Sequence, residues 1–318
     1  MTDDLQNTYR IFGLSVESEL LLPELVPAEA MAVADVVIRL SAPETEPPAE
    51  FHLSASNGEI TLRVPGIATY RMRSGACIAV APEIDASERD VRLFLLGSAF
   101  AAILHQRGLL PLHSNAIEIG GKAIAFLGHS GAGKSTLAAW FHDRGHGVLS
   151  DDVCVVGVDA EGRGIAYGGV PRVRLWRDAL EASGRTADDE ERAADEWEKY
   201  NVRTDHAAIR HEAALSHIYL FAGDGTEVDT VVTRLVGSRA VQALVENTYR
   251  GAYVKLLGKT QRHFDQCVRL AQNLAIFEVR RPWGLNALDR VGIALETHAK
   301  AFIEARASLD ADQPFLRQ

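Results

Sequence analysis

Residues 126–138 read "FLGHSGAGKSTLA", and Gly128 to Ser135 match the pattern G-x-x-x-x-G-K-[ST] in full. The flanks suit the motif. Ala123 to Leu127 reads as a short buried strand, and Leu137, Trp140 and Phe141 recur at the i, i+3, i+4 spacing of a helix that stops at Gly145. A strand, a glycine-rich loop and a helix turn backbone N–H groups around an anion, with the positive end of the helix dipole behind them. The pattern predicts that Gly128, His129, Ser130, Gly131, Ala132, Gly133, Lys134, Ser135 and Thr136 hold the phosphates of a nucleotide. Lys134 reaches the β- and γ-phosphates and Ser135 a Mg²⁺ ion.

The surrounding chain of 318 residues is 47% hydrophobic and 24% charged, a globular composition with material for two domains. Its formal charge of −10 argues against a broad nucleic-acid or anionic-membrane surface, so the nucleotide must be met by a local basic groove. No apolar run approaches the roughly 18 residues of a membrane span. The N-terminal MTDDLQNTYR is acidic and polar where a signal peptide is basic and apolar, and a cytoplasmic location is expected. Cys77, Cys154 and Cys267 have no metal-ligand spacing and are expected as reduced thiols.

From Tyr9 to Pro82 short alternating or β-branched runs, "YRIFGLSVES", "ADVVIRL", "GEITLRV", "IATYRMR" and "ACIAVAP", alternate with Pro, Gly, Asn and Ser. This predicts a small β-rich domain over 1–86 and a phosphate-loop domain over 87–318. Ser87 to Arg107 reads as a helix capped by Asp85 or Ser87 and ended by Gly108. The strand hairpin "NAIEI"/"AIAFL" leads into the loop, and "GVLSDDVCVVGVD" follows its helix. The acidic stretch from Asp178 to Glu198 reads as part helix and part mobile surface loop. "LSHIYLFAGD" and "VDTVVTRLV" read as strands. Beyond Ser238 the chain reads as mostly helical, with a strand at "IFEVRRP" and a last helix from about Leu285 to Ala307. The fold class is α/β with a helical C-terminal region.

A phosphate loop leaves the reaction open. The chain has no N-K-x-D or T-K-x-D run to select guanine and no L-S-G-G-Q of a transporter ATPase. The best discriminator is Ser150-Asp151-Asp152. One carboxylate can ligate the metal beside Ser135 while the other orients or deprotonates an acceptor hydroxyl; the competing reading is a turn cap. His113, just before the hairpin, is either a packing residue or a group that reaches the cleft and tunes that base. Arg172 and Arg174, alternating on one strand face, and Arg177 either bind a γ-phosphate or acidic peptide terminus or are exposed strand charges. Lys199 and Tyr200 are candidates to close over the nucleotide.

The order His113, hairpin, "GHSGAGKST", helix ending "RGH" and then "SDD" resembles the kinase domain of the HPr kinase/phosphorylase family over about Leu109 to Arg177. That phosphate-loop fold is related to phosphoenolpyruvate carboxykinase. The resemblance implies ATP as donor, His113 and Asp151 near an acceptor serine hydroxyl, Lys134 on the phosphates, and Ser135 with Asp152 at Mg²⁺. The chain departs from the family in places. "GGVPRVRLWRDAL" offers Arg174 but no Glu-x-Arg-Gly signature of phosphorolysis, and the loop ends Lys-Ser-Thr where Lys-Ser-Glu is usual. The N-terminal "YRIFGLSVESELLLPEL" is similar instead to HPr-kinase-like proteins of ribosomal peptide gene sets, including kinases of lasso-peptide precursors. The resulting expectation is an ATP- and Mg²⁺-dependent serine kinase of a peptide or small protein, with Asp151, His113, Lys134 and Arg174 as the catalytic set. It carries no nucleic-acid or membrane partner, and a homo-oligomer is compatible with the family. A kinase of a small hydroxylated metabolite and a non-catalytic ATP-binding regulator are the alternatives.

Overall fold

A computed structural model of the chain describes residues 7–29, 33–46, 48–159, 163–187, 191–194, 197–204, 211–223 and 225–312. Alternation dictates the first sheet. In β5 (Glu59–Val64) Ile60, Leu62 and Val64 are buried while their neighbours are half-exposed, the period of a strand with one covered face. Together β1 (Asn7–Ile11), β2 (Leu14–Ser18), β3 (Val36–Leu40), β4 (His52–Ser56), β5, β6 (Ala68–Arg73) and β7 (Cys77–Pro82) form a seven-stranded sheet in the order β1-β2-β3-β7-β6-β5-β4. The strand β4, His-Leu-Ser-Ala-Ser, alternates only weakly, with Leu53 and Ala55 partly buried against the core, and closes the sheet by pairing with β5.

The helix expected from Ser87 to Arg107 covers this sheet as α1 (Glu88–Phe94) and α2 (Phe100–Arg107), joined by a π-helical turn over Leu95–Ala99. Ser87 stands at its N-cap without a side-chain cap hydrogen bond, and left-handed Gly108 ends it. Val91, Leu95 and Phe100 share one core with Ile60 and Tyr70, and the Tyr70 hydroxyl donates to the Val91 carbonyl at 2.8 Å. Val153 and Val155, beyond the phosphate loop, belong to that same core.

The second sheet carries the loop. After β8 (Leu110–Leu112), the antiparallel pair β9 (Ser114–Ile119) and β10 (Lys122–Leu127) runs into α3 (Lys134–Asp143), as the sequence pattern predicts. There follow β11 (Gly147–Ser150), β12 (Cys154–Val158), β13 (Gly164–Tyr167), β14 (Arg172–Trp176), α4 (Arg177–Ala182), β15 (Glu191–Ala194), β16 (Trp197–Arg203) and β17 (Glu212–Ala222). The chain then forms β18 (Val231–Leu235), α5 (Ser238–Glu246), α6 (Ala252–Leu256), α7 (Thr260–Asn273), β19 (Ala275–Arg280) and α8 (Leu288–Asp312). The central order is β11-β9-β10-β17-β13-β12-β8, with β19 parallel to β17 and β18 on its outer side. Parallel neighbours β10 and β17 bury the phosphate-loop strand in the middle of the sheet. Phe126 packs there at ring-centroid distances of 5.8 Å from Phe141, 5.5 Å from Tyr219 and 5.6 Å from Phe221.

The acidic stretch departs from expectation in part. Its helix is present as α4, but where a mobile loop was expected its described residues include β15 and the start of β16, and β16 pairs with β14 in a three-stranded sheet. Residues 188–190 and 195–196 lie outside the described residues. The register sets Leu175 opposite Tyr200 and Val173 opposite Val202, all four buried, so a distant partner strand overrides the charged local composition.

The far end of α3 is clamped to α8. Glu296 accepts hydrogen bonds from Lys300 (2.6 Å) and Arg144 (3.2 Å) and stands 3.1 Å from His146 Nε2. These partners, Lys300 first, hold its carboxyl down at about 2 against the usual 4.5. A depressed carboxyl contributes stability that is present above 4.5 and lost as pH falls towards about 2. Glu296→Gln is expected to lower Tm at pH 7 by about 2–4 °C and to flatten the acid limb of a Tm-against-pH series. An unchanged acid limb would contradict the clamp.

Candidate active site

The loop closes back on its own sheet. Gly128, at φ 150°, lies so near β17 that a Cβ there would stand 3.3 Å from Phe221 Cβ and 3.2 Å from Ala132 Cβ. Its N–H donates to Asn247 Oδ1 at 3.2 Å. Gly133, left-handed at φ 73°, starts α3. Lys134 is buried and donates to the carbonyls of Gly128 (2.7 Å) and His129 (3.1 Å), so its ammonium lies under the loop. Burial pushes that ammonium down to about 8, while the charges of Asp152 and Asp151 pull it back up, leaving it protonated at neutral pH.

The two carboxylates have different partners. Asp151 Oδ1 accepts from Ser135 Oγ (2.9 Å) and Asn115 Nδ2 (2.6 Å), and its Oδ2 accepts the backbone N–H of Arg174 (2.8 Å). Burial, then the neighbouring Asp152 charge, pushes its carboxyl up to about 6. Asp152 is left-handed, φ 71°, which turns it away from its neighbour. Its carboxylate stands 3.5 Å from His113 Nδ1 and 3.6 Å from Arg174 Nη1, and its carbonyl is 3.2 Å from the same His113 nitrogen. The acid paired with Ser135 is therefore Asp151, and the acid paired with His113 is Asp152, the reverse of the pairing expected from the sequence. The left-handed backbone between adjacent acids produces the exchange, and spacing alone does not encode it.

His113 is fixed by its backbone N–H, which donates to the Asn247 carbonyl at 2.7 Å, and by stacking on Tyr249 at 6.2 Å between centroids. Asn247 thus ties His113 and Gly128 to one point, and the helical pattern read through "VENTYRG" breaks there into α5 and α6. Burial, then the Lys134 charge, lowers the imidazole below its ordinary value.

Lys134, Ser135, His113 and Asp152 line a cleft of about 410 Å³, with Asp151 behind Ser135 outside its wall. The residues from Ser130 to Leu137 form one wall, Thr136 among them, with His113, Asn115, Asp152 and Arg174 at the base. Trp176 and Trp283, each about half-exposed, stand at its rim, with Lys199 Nζ 4.7 Å above the Trp176 ring. Arg281 Nη2 donates to the Ala132 carbonyl at 2.5 Å, and its guanidinium lies 4.6 Å from the Phe221 ring. His129 stacks on Trp283 at 6.3 Å. Arg177 is not in the cleft wall; it donates to Tyr200 Oη (2.7 Å) and Glu198 (3.2 Å), and Tyr200 is core. Asn115, Asn247, Arg281 and Trp283 are missing from the sequence-derived set. Asn115 had a signal, an amide inside an apolar strand, as did the "RRPWG" turn after β19; Asn247 had none.

The donors in this cleft are hard oxygens, and the Asn115 Oδ1 atom is buried with no hydrogen-bond partner. Among the described residues no three His, Cys, Asp or Glu side chains come together as an all-protein metal cage. Ser135 Oγ beside one carboxylate fits the sparse protein share of a Mg²⁺ site whose other ligands are waters and phosphate oxygens. No helix of the described residues is long and apolar enough to cross a membrane.

No family model and no curated protein matches the sequence. Among solved structures the chain is similar to the Hpr(Ser) kinase/phosphatase from Coxiella burnetii, at 11% identity and a TM-score of 0.37, over 65% of this chain and 99% of that one. So loose a superposition carries no argument about function.

Burial disfavours the charged imidazole of His113. Its Cε1–H resonance is expected to titrate below 6.5, lower still in Asp152→Asn, whose lost charge supports the proton, and higher in Lys134→Met. An NMR midpoint at or above 6.5 in the wild type would show that His113 is not enclosed as described.

Proposed function

We propose that this protein transfers the γ-phosphoryl group of ATP to an acceptor hydroxyl, with a phosphate-loop core of the HPr kinase/phosphoenolpyruvate carboxykinase type. The observation that carries the reading is that Lys134, Ser135 and Asp152 line one cleft, with Asp151 bonded to Ser135 directly behind it. Lys134 and the amides of Gly131 to Ser135 hold the phosphates. Ser135 and Asp151 are the groups that would hold Mg²⁺, and that ion would neutralise charge on the phosphates being parted. Asp152 takes the acceptor proton, since it is the acid that opens to the cleft beside His113. Neutral His113 donates from Nδ1 towards Asp152 and keeps that carboxylate oriented. Arg174 balances the paired negative charge from the opposite side. With its base in place, such a site gains about 10²–10⁴-fold in rate from proton removal alone.

The resemblance in "YRIFGLSVESELLLPEL" and in the loop makes a serine of a peptide or small protein the favoured acceptor, with a ribosomally made lasso precursor peptide the first to try. This reading takes the protein as acting without nucleic acid or membrane.

Paired substitutions separate the two acids. Asp152→Asn is expected to lose about 10²-fold or more in transfer with ATP affinity retained, whereas Asp151→Asn raises the Mg²⁺ concentration needed for half-maximal rate. Full activity in Asp152→Asn would defeat the assignment. The wild-type rate is also expected to fall as pH drops through about 6, where Asp151 gains a proton and ceases to be a metal ligand. Flat kcat/KM between pH 5 and 7, roughly a unit either side of that value, would contradict it.

A further inference from the structure

The acid pair stands at a junction. Besides the phosphate cleft, a second cavity of about 150 Å³ opens onto both Asp151 and Asp152 from the side of the seven-stranded sheet. Phe12, from the turn between β1 and β2, forms part of its wall, and Phe12 N–H is anchored to the Gly168 carbonyl at 2.7 Å. The stretch from Leu96 to Ser98, within the π-helical turn, forms another part; Arg250, following Tyr249, closes a third.

Three properties mark this cavity as more than a packing gap. Among the described residues five non-glycines have positive φ, and three of them line it: Phe12 (54°), Asp152 (71°) and Arg250 (51°). Left-handed backbone at such side chains is unfavourable and gathers where ligands are handled. The π-turn, itself a feature concentrated at functional sites, leaves Gly97 in the wall, where a Cβ would make an ordinary contact 3.5 Å from Tyr249 Oη. Charge is the third property. Arg172, Arg174 and Arg250 line the cavity with the two acids; Arg174 Nη1 stands 3.6 Å from Asp152 and the Arg250 guanidinium 5.5 Å from the Tyr249 ring centroid, while Asp151 is engaged by Ser135, Asn115 and the Arg174 amide.

We propose that this second cavity is the acceptor site, and that it takes a hydroxyl-bearing group of about benzene size with a carboxylate beside the hydroxyl. The inference rests on the phosphoryl-transfer reading and names its substrate class. Arg250, with Arg172, holds the carboxylate, a planar anion that guanidinium groups match in shape. Phe12, Phe94 and Tyr249 cover the apolar side of the group. The hydroxyl oxygen forms a bond to the γ-phosphorus as the bond from that phosphorus to the β–γ bridging oxygen breaks. ADP leaves with the electron pair, and the hydroxyl proton goes to Asp152. On this account the seven-stranded sheet contributes directly to selection, because its first turn is a wall of the acceptor site.

Two pairs of probes test the proposal on the full chain with MgATP: acetyl-Asp-Ser-amide against acetyl-Asn-Ser-amide, and glycerate against glycerol. Initial rates of γ-phosphoryl transfer are expected to favour the anionic member of at least one pair by about ten-fold in kcat/KM. The responding pair shows whether the hydroxyl belongs to an acidic peptide or to a small hydroxy acid. Arg250→Gln is expected to remove the preference mainly through KM, Arg250→Lys to restore part of it, and ATP affinity to stay the same in both. Gly97→Leu, which fills the cavity, is expected to lower transfer to the same acceptor by about ten-fold. Equal use, or equal refusal, of anionic and neutral members in both pairs would overturn the proposal, as would a preference that survives Arg250→Gln. Failure of the wild type to bind MgATP would contradict the phosphoryl-transfer reading instead.

Discussion

The carboxylate of Asp151 is the point at which separate parts of the chain become one site. It follows directly on β11, and its three hydrogen bonds come from Asn115 on β9, Ser135 on α3 and the backbone of Arg174 on β14. An ionised oxygen pair with three donors resists displacement, because each lost bond would leave a charge facing a low-dielectric interior. Burial and the adjacent Asp152 nonetheless hold its carboxyl near 6, so the same group that organises the cleft is poised close to titration. Asp152, one residue on, escapes this network only by taking a left-handed backbone. The division of labour between adjacent acids is thus a backbone property.

What supports that point was unevenly legible. The phosphate loop, its strand and its helix could be read directly, since glycine placement and apolar period act over a few residues. Strands such as β5 and β6 showed through alternation, and Gly108 marked a helix end through its left-handed conformation. The sheet built from β14, β15 and β16 was hidden, because Glu and Asp dominate locally while the deciding contacts pair Tyr200 and Val202 with Leu175 and Val173. The hydrogen-bond partner of Ser135 was not legible for a related reason. Sequence gives the spacing of Asp151 and Asp152 from the loop, but which of them points back is set by φ at Asp152 and by donors on β9 and β14. Asn247 was invisible, since its amide acts on Gly128 across more than a hundred residues of chain.

The phosphate loop is also held from the outside. Arg281 donates to the Ala132 carbonyl while lying against Phe221 and Trp283, and a Cβ on Gly133 would stand 2.9 Å from its guanidinium. A cation placed there, within a chain of formal charge −10, supplies the local positive field that net composition denies. On the other side of the acid pair, Arg172, Arg174 and Arg250 line the second cavity. Asp152 and Arg174 line both cavities and so stand where the two meet.

The central claim is that Ser135 and Asp151 make the metal side of the cleft and Asp152 the acceptor side. Its most direct test is a crystal structure with Mn²⁺ and a non-hydrolysable ATP analogue, read by the anomalous signal of the metal. The account predicts a single metal peak bound to Ser135 Oγ and adjoining the Asp151 carboxylate, with Asp152 free of the metal and facing the γ-phosphate. A metal peak on Asp152, with Asp151 turned to the γ-phosphate, would contradict it.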